Sequence, residues 1–358
     1  MAEQAKQLTL LTGVRVARLA EIRNFIIHNV EQHPRDMARL IGEQFKITRP
    51  AAVNHLRRLS DEGILNAVGQ TKARTYELRE LVSETFHLDV LPSMEEDAEW
   101  REKVAPLIDG LPANVIDICR HGFTEMLNNV IDHSGSETAH ILVIMDALRT
   151  RIQIEDSGVG IFNKIQTDFH LTDPRHALLE LCKGKLTSDP SSHTGEGIFF
   201  TSRMFDTFVL WSGNLYFTRE NKEGHDWLVE VTEREPVPGT TVQLTIRNNS
   251  DNTTKEVFDR FAAGSDDYGF SKTIVPVRLA LYEGDKLVSR SQAKRLLTHF
   301  DRFEEVLLDF QGVTEIGQAF ADEIFRIYQR DHPSVHLYTT NASISILQLI
   351  QRVQRGEL

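Results

Sequence analysis

The chain has 358 residues, of which 41% are apolar and 26% charged, and its net charge is −12. This is the composition of an ordinary soluble globular protein, and its length suggests two or three domains. Its apolar runs fall far short of the ~20 residues that a membrane span needs, which excludes a membrane-spanning protein. The N-terminus lacks the pattern of a secretory signal, so we expect a cytoplasmic protein without membrane contact.

The charge is distributed unevenly along the chain. Residues 1–90 hold 13 Lys and Arg against 11 Asp and Glu, a balance of +2, whereas the remainder has a balance of −14. Because an acidic surface repels phosphate backbones, we expect any contact with nucleic acid to use the first 90 residues.

The first block has the pattern of a winged helix-turn-helix. Three segments with helical apolar spacing, ending with "RPAAVNHLRRLSDEG", precede "ILNAVGQTKARTYEL", which alternates around a Gly turn as a hairpin does. In such folds the third helix enters the major groove of double-stranded DNA. The predicted DNA-binding residues of this helix and of the hairpin wing are Arg49, Asn54, His55, Arg57, Arg58, Lys72 and Arg74. The alternative is a protein-interaction module, because winged helices also serve that role and a balance of +2 is weak.

The second block contains a predicted helix with an unusual polar face. In "GFTEMLNNVIDHSGS", residues 122–136, five polar side chains fall within an arc of roughly 140° at 100° per residue: Glu125, Asn128, Asn129, Asp132 and His133. A solvated face is the simplest interpretation. The two adjacent amides weigh against it, because Asn is a poor helix former and solvated faces favour Lys, Glu and Arg.

Two glycine-containing motifs follow this helix. In "RIQIEDSGVGIF" a predicted strand ends at Asp156 before Gly158 and Gly160, so its carboxylate can accept a hydrogen bond from an exocyclic amine; an Asp-Ser-Gly turn is the simpler alternative. In "SSHTGEGIFFTSRMFD", Gly195 and Gly197 lead into an apolar helix, whose N-terminus offers an anion site.

The order of these motifs resembles the Bergerat ATP-binding fold of the GHKL superfamily, which includes gyrases, heat-shock chaperones and histidine kinases. The resemblance covers about residues 97–248 and ends with Gly239-Thr240 at the last strand. It implies that Asn129 binds Mg²⁺, that Glu125 orients or deprotonates a nucleophile, and that Asp156 accepts the adenine amine of ATP. The spacing from Glu125 to Asn129 to His133 also resembles the anti-sigma-factor serine kinases. Further residues assigned to the nucleotide are Asp132, His133, Gly158, Gly160, His193, Thr194, Gly195, Gly197 and Thr240. Two positions stay open for Asn128: one beside the metal ion, and one behind the residues that bind the metal.

The region between Gly160 and Gly195 corresponds to the nucleotide lid of this superfamily. It contains "RHALLELCKG", a predicted short helix, and is too long for an idle loop. Lys183 and Lys185 flank a glycine there and are predicted to reach the phosphates; simple solvation is the alternative.

The last block resembles a STAS domain, the fold of anti-anti-sigma factors. The segment "VLLDFQGVTEIGQAFADEIF", residues 306–325, carries the resemblance, and strands alternate with helices around it. In switching members a phosphorylated serine begins the helix after this strand, but here that position falls on Ala319, and Thr314 is the nearest hydroxyl. We therefore expect a docking or dimer module.

The expected fold class is multidomain α+β. It comprises a winged helix (1–88), a Bergerat-fold α/β sandwich (89–248), a linker (249–270) and a small STAS-like α/β domain (271–358). This organisation predicts a homodimeric, DNA-binding bacterial transcriptional regulator in which Mg²⁺–ATP switches the arrangement of domains or partners. Two alternatives stay open: a serine/threonine protein kinase acting on a separate STAS protein, and a slow ATPase in stress or defence signalling.

Overall fold

The structure is a computed structural model that describes residues 17–70, 74–171, 173, 175–186, 195–221, 225–230, 236–264, 267–281 and 286–356. It divides into two compact units. The first contains the chain up to Thr85 together with Leu142–Arg151 and Arg247–Asn249, and the second contains Phe86–Ile141, Ile152–Ile246 and the chain from Ser250. Among the described helices, none is both long and apolar enough to cross a bilayer.

The first unit begins with three helices and a hairpin in its described residues. These are α1 (residues 17–29), α2 (Met37–Phe45), α3 (Arg49–Asp61), β1 (Leu65–Val68) and β2 (Thr75–Leu78). The two strands pair antiparallel, with Leu65 opposite Leu78. Ile26, Ile41 and Leu56, one from each helix, form its apolar core with Leu65 and Tyr76. The apolar residues whose helical spacing predicted these three helices therefore also form their buried faces.

The middle of the chain is built around one large sheet. In chain order its elements are β3 (Val82–Asp89), α4 (Glu96–Glu99), α5 (Ala113–Asn129), β4 (Thr138–Met145), β5 (Arg149–Asp156), α6 (Ile161–Asp168), α7 (Arg175–Lys183), α8 (Gly197–Met204), β6 (Thr207–Gly213), β7 (Leu215–Glu220), β8 (His225–Glu230) and β9 (Val237–Arg247). The described strands form one seven-stranded sheet in the order β3-β4-β5-β9-β6-β7-β8. The pairs of β6 with β7, β7 with β8, and β6 with β9 are antiparallel.

Helix α5 covers the sheet with a continuous apolar face. Its buried positions include Val115, Ile118, Phe123 and Met126, which follow the spacing of a helix. Gly122 makes close packing possible, because a Cβ at this position would lie 2.4 Å from the Phe205 ring. The close approach holds α5 against the core and directs its other face outward from the sheet.

Most of the described residues in the predicted linker, 249–270, form helix or strand. They contain α9 (Thr254–Phe261), β10 (Ala262–Gly264) and β11 (Asp267–Phe270), with the two short strands paired antiparallel. Thr253 caps α9 in a capping box with Glu256. Phe261 and Phe270 pack with Phe199 and Phe200 of α8, at ring-centroid distances from 4.5 to 6.1 Å. This aromatic cluster fixes the segment to the core.

The C-terminal part is a small α/β layer. Its elements are β12 (Lys272–Pro276), α10 (Arg290–Leu297), β13 (Glu305–Asp309), α11 (Gln318–Asp322), α12 (Gln329–Asp331), β14 (His336–Thr340) and α13 (Ile344–Arg355). Within the part of the chain described, these strands form a three-stranded parallel sheet in the order β12-β13-β14. The alternation of strands and helices predicted this arrangement.

The chain is thus a mixed α/β protein with several sheets, as the expected fold class requires. The segment 208–219 forms parts of two antiparallel strands, β6 and β7, and the chain turns back at Gly213. Residues 82–89 form the edge strand of the large sheet, although most of them were predicted to end the winged helix.

Candidate functional site

A cavity of about 340 Å³ lies in the second unit, where α5 ends. This is the size range of small-molecule sites. Its wall is formed by the end of α5, the end of β5, α6, part of α7, the start of α8 and β9. Polar side chains in the wall are Glu125, Asn128, Asn129, Asp132, His133, Asp156, Lys164, Asp168 and Thr240. Apolar side chains such as Ile154, Ile165 and Phe169 complete it.

The polar face of the first motif meets at this cavity. Helix α5 is regular to Asn129 and then widens into a π-helical turn, Val130–Ser134. All five predicted polar residues of residues 125–133 line the cavity, while Met126 also contributes an apolar surface. A solvated surface helix is therefore not what the structure shows for this face. π-helical turns occur frequently at functional sites, and this one carries Asp132 and His133.

Asp156 is the buried carboxylate of the cavity, with 5% of its surface exposed. Its place follows from the alternation of β5, in which Thr150, Ile152, Ile154 and Asp156 point inward. The Gly158 N–H donates to Asp156 Oδ1 at 2.8 Å. Burial raises the pKa of this carboxyl, and backbone hydrogen bonds from Gly158 and Thr240 oppose that rise. An acceptor held in this way can bind a donor of a ligand.

Glycines allow three chain segments to converge behind Asp156. A Cβ at Gly158 would lie 2.1 Å from the Ser134 carbonyl oxygen, and one at Gly239 would lie 2.0 Å from that of Asp156. Gly239 also has a φ of +69°, which other residues rarely adopt. Next to it, the Thr240 hydroxyl accepts the Ile161 N–H at 3.0 Å. The fixed backbone therefore holds Thr240 beside Asp156.

The start of α8 forms another part of the wall. Gly195 and Gly197 both line the cavity, and α8 begins at Gly197. A Cβ at Gly197 would lie 2.0 Å from Glu125 Oε2, so the helix start directly contacts this carboxylate. Free N–H groups at a helix N-terminus favour anions. His193 and Thr194, also predicted at this position, lie outside the described residues.

Lys183 and Lys185 do not line the cavity. Lys183 is 1% exposed and its Nζ lies 2.6 Å from Glu180 Oε1, while Lys185 Nζ donates to the Arg302 carbonyl at 3.0 Å. Lys183 is held by Glu180 of its own helix and by carbonyls of the C-terminal layer. Positive φ at Gly184 and Lys185 turns the chain so that the Lys185 ammonium group reaches the same layer. In this structure neither lysine occupies the position expected of a phosphate-binding residue.

A different lysine faces the cavity. Lys164 of α6 lines it and pairs with Asp168 at 2.7 Å. The sequence interpretation missed this pair, although "FNKIQTDF" places Lys and Asp four residues apart immediately after the Asp156 motif.

The exposed face of α3 gathers most of the predicted DNA-binding residues. Ala52, Leu56 and Leu59 are buried, whereas the opposite face is exposed and carries Arg49, Asn54, Arg57 and Arg58. His55 is half-buried; burial lowers its pKa, and Arg58 lowers it further. Arg58 also donates to Glu62 at 2.7 Å. Arg74 is exposed at β2, and Lys72 lies outside the described residues.

Ala319 lies in the first turn of α11, which begins at Gln318 after the capping position Gly317. It is half-buried, and Thr314 is exposed in the preceding loop. The position that matches the switching serine therefore does begin a helix, but it has no hydroxyl to accept a phosphoryl group.

Comparison with known families identifies one part of the chain. Residues 292–347 match the model of a STAS-like domain of unknown function (DUF4325). The C-terminal layer is STAS-like. A search of curated proteins gave no match to the chain. The match covers α10 through the start of α13, and so supports the resemblance that "VLLDFQGVTEIGQAFADEIF" carries.

The cavity combines three chemical capacities. Asp156 is a buried acceptor, Asn129 is an amide oxygen beside other polar groups, and the α8 start favours an anion. Glu125 lies against that helix start and also lines the cavity.

Proposed function

We propose that this chain is an ATP-dependent bacterial regulator, with a Bergerat-type Mg²⁺–ATP site, a DNA-binding winged helix and a STAS-like module. The observation that carries the proposal is the cavity in which Asp156, Asn129, Gly195 and Gly197 come together from separate motifs.

The residues present fit the nucleotide by their chemistry. Asp156 provides the acceptor for the adenine amine, and the Thr240 hydroxyl lies nearby. Gly195, Gly197 and the start of α8 provide N–H groups and a helix dipole for phosphates. The apolar side chains Ile154, Ile161 and Ile165 suit the faces of a purine ring.

Asn129 is the residue proposed to hold Mg²⁺. Within the described residues there is no group of three or more His, Cys, Asp and Glu side chains able to hold a metal ion. The proposal therefore relies on one amide oxygen with water and phosphate oxygens, a coordination that Mg²⁺ accepts.

Glu125 is the residue proposed to act on a nucleophile. Bound Mg²⁺–ATP would supply an activated phosphoryl group. Glu125 lines the cavity and contacts the α8 start, so its carboxylate can orient water or a hydroxyl group and accept its proton at Oε1 or Oε2. The same position serves hydrolysis and transfer to a protein, so geometry alone does not favour either outcome.

The nucleotide proposal is tested by calorimetric titration of ATP with Mg²⁺. The unaltered chain is expected to bind, and Asp156→Asn is expected to bind at least tenfold more weakly because the charged acceptor is lost. Asp259→Asn on the exposed face of α9 is the matched control and should not change the affinity. An unchanged affinity in Asp156→Asn would show that the site is wrongly assigned.

Incubation with ATP labelled at the γ-phosphate separates the alternatives. Label on a separate STAS protein would support the serine/threonine kinase, release of free phosphate would support a slow ATPase, and neither would leave a binding switch. The variant Glu125→Gln should abolish both ATP hydrolysis and phosphoryl transfer to a protein. ATP should still bind, because the variant removes the proton acceptor and keeps the side-chain shape.

The DNA-binding part of the proposal rests on the exposed arginines of α3. Replacing Arg57 and Arg58 by Ala should weaken binding to the protein's own promoter region and reduce the salt dependence of binding, because phosphate contacts are lost. The control pair Arg101→Ala and Arg120→Ala removes the same charge from exposed positions elsewhere. Intact binding in the α3 variant would favour a protein-interaction module. A homodimer is also proposed, since such regulators usually read paired half-sites.

A further inference from the structure

The segment after α6 contacts both the cavity and the STAS-like layer. On one side, Leu181 of α7 and Leu186 line the cavity. On the other, α7 and the following turn contact β12, α10 and the chain after α10. One short segment therefore connects the candidate nucleotide site to a different layer of the same unit.

A buried ion pair anchors α7 to the STAS-like layer. Lys183 Nζ lies 2.6 Å from Glu180 Oε1 and donates to the carbonyl oxygens of Arg295 at 3.3 Å and Thr298 at 2.8 Å. These three acceptors match the three donors of an ammonium group. Glu180 Oε2 contacts His299 Nδ1 at 2.8 Å. Both charged residues lie on α7, so moving this helix away from the layer would keep their ion pair but would break the bonds of Lys183 to the two carbonyls and of Glu180 to His299.

The backbone after α7 is held by the same layer. The Thr273 hydroxyl donates to the Lys183 carbonyl at 2.7 Å, and Arg302 donates to the Lys185 carbonyl at 2.6 Å. Lys185 returns a bond to the Arg302 carbonyl, so the two residues are linked in both directions. A Cβ at Gly184, which has a φ of +81°, would lie 2.6 Å from the Phe270 ring. This turn is therefore shaped by its contacts with the layer and with Phe270 of β11.

The turn after α7 is also hydrogen-bonded to the chain just before α8. The Leu186 N–H donates to the Gly195 carbonyl at 3.2 Å. Both residues line the cavity, and Gly197 follows at the start of α8. Displacing the turn would consequently alter a side wall of the cavity and the loop that carries Gly195.

We propose that the STAS-like layer regulates nucleotide binding through this clamp, in which Glu180 and Lys183 couple the position of α7 to the layer. The inference rests on the proposed ATP site. While Glu180 and Lys183 hold α7 against the layer, the cavity residues Leu181, Leu186 and Gly195 are already in place. Less conformational entropy is therefore lost when ATP binds. By linkage, a partner that binds the STAS-like layer and displaces α7 lowers the affinity of the chain for ATP. Bound ATP lowers the affinity for that partner by the same factor.

The test removes the buried charges without leaving one unpaired. The double variant Glu180→Gln with Lys183→Met keeps the side-chain volumes. Its matched control is Glu315→Gln with Lys286→Met, which removes an exposed ion pair from the same layer. ATP affinity, measured by calorimetry, is expected to fall at least fivefold in the clamp variant and to remain unchanged in the control.

Hydrogen exchange supplies the second measurement. In the unaltered chain, ATP is expected to slow exchange in α10 and in Phe300–Arg302, and this effect should be lost in the clamp variant while protection at the start of α8 remains. The milder variant Thr273→Val removes one hydrogen bond and should lower the affinity for ATP about twofold. It replaces the double variant if the double variant does not fold. Unchanged affinity and unchanged protection in the clamp variants would overturn the inference alone. Absence of ATP binding by the unaltered chain would instead overturn the proposed function, and the inference with it.

Discussion

Asp156 illustrates how a buried carboxylate is held at a cost to stability. Burial raises its pKa, so the folded chain disfavours the ionised carboxylate more than the unfolded chain does. The cost is fully present at pH values above the folded pKa, and is relieved as the pH falls through it. A hydrogen-bond donor on a ligand, such as an exocyclic amine, would add to the backbone bonds from Gly158 and Thr240 and stabilise this charge further.

The first prediction is that Asp156→Asn increases the free energy of unfolding at neutral pH. The amide oxygen can still accept the Gly158 N–H, while the desolvation penalty of a charge disappears. Denaturant unfolding at pH 7 measures the change. A decrease in stability would contradict the proposed origin of the raised pKa, and would also mean that weaker ATP binding by this variant could reflect unfolding.

The buried His121, one turn before Glu125, is expected to make the folded chain less stable at acidic pH. Burial lowers its pKa from 6.5 to about 4, and its Nε2 has no hydrogen-bond partner among the described residues. Above pH 6.5 both folded and unfolded chains carry neutral imidazole, so the group has no effect. As the pH falls below 6.5, the unfolded chain binds the proton first and unfolding is favoured. Between pH 7 and pH 5 this amounts to about 2 kcal/mol, at about 1.4 kcal/mol per pKa unit.

The variant His121→Phe checks this pH dependence. The ring of Phe can keep the edge-to-face contact with Phe258, whose centroid is 5.6 Å away, but it cannot be protonated. Its unfolding free energy should therefore fall by about 2 kcal/mol less than that of the unaltered chain between pH 7 and pH 5. Parallel pH profiles for the two proteins would exclude His121 as the source of the acid sensitivity.

At this scale, sequence reasoning succeeded where a residue's position follows from a regular element. The helical period brings Glu125, Asn129 and His133 to one face, and the period of two places Asp156 inward. It did not anticipate where Lys183 and Lys185 point. Their direction depends on positive φ at Gly184 and Lys185 and on acceptors more than 100 residues away, neither of which a local pattern contains.

The helices and strands show the same division between local and distant causes. The hairpin of β1 and β2 and the helix α7 follow from turn residues and apolar spacing. Most of the described residues in the predicted linker, 249–270, instead form α9 and two short paired strands. The polar run "NNSDNTT" contains the cap of α9, which its composition does not distinguish from a linker. The residues that follow are held in place by aromatic packing against α8. Such packing becomes visible only once distant residues are brought together.

The cap of α9 gives the prediction at this scale. The Thr253 hydroxyl accepts the Glu256 N–H at 3.2 Å, and Glu256 reaches back to the Thr253 N–H. Replacing Thr253 by Ala should destabilise the second unit by about 1 kcal/mol. Denaturant unfolding measures this loss, and Thr254→Ala at the next position serves as the control. An equal effect of both substitutions would show that the cap is not what stabilises α9.

At the scale of the whole molecule, the account proposes one chain that combines a DNA-binding module, an ATP site and a STAS-like layer. The STAS-like layer is supported by its match to a known family, and the cavity by the convergence of motifs from separate elements. Regulation requires that ATP binds two states of the protein with different affinity. The clamp of Glu180 and Lys183 provides a physical element through which such a difference can arise.

The central claim is that Asp156 accepts the amine of adenine, and the most direct measurement compares ATP with inosine triphosphate, which lacks that amine. Affinities of both nucleotides are measured for the unaltered chain and for Asp156→Asn. The account predicts that the unaltered chain prefers ATP by roughly ten- to a hundredfold, the effect of a hydrogen bond to a charged group, and that Asp156→Asn loses most of this preference. Equal affinity of the unaltered chain for both nucleotides, or an undiminished preference in the variant, would contradict it.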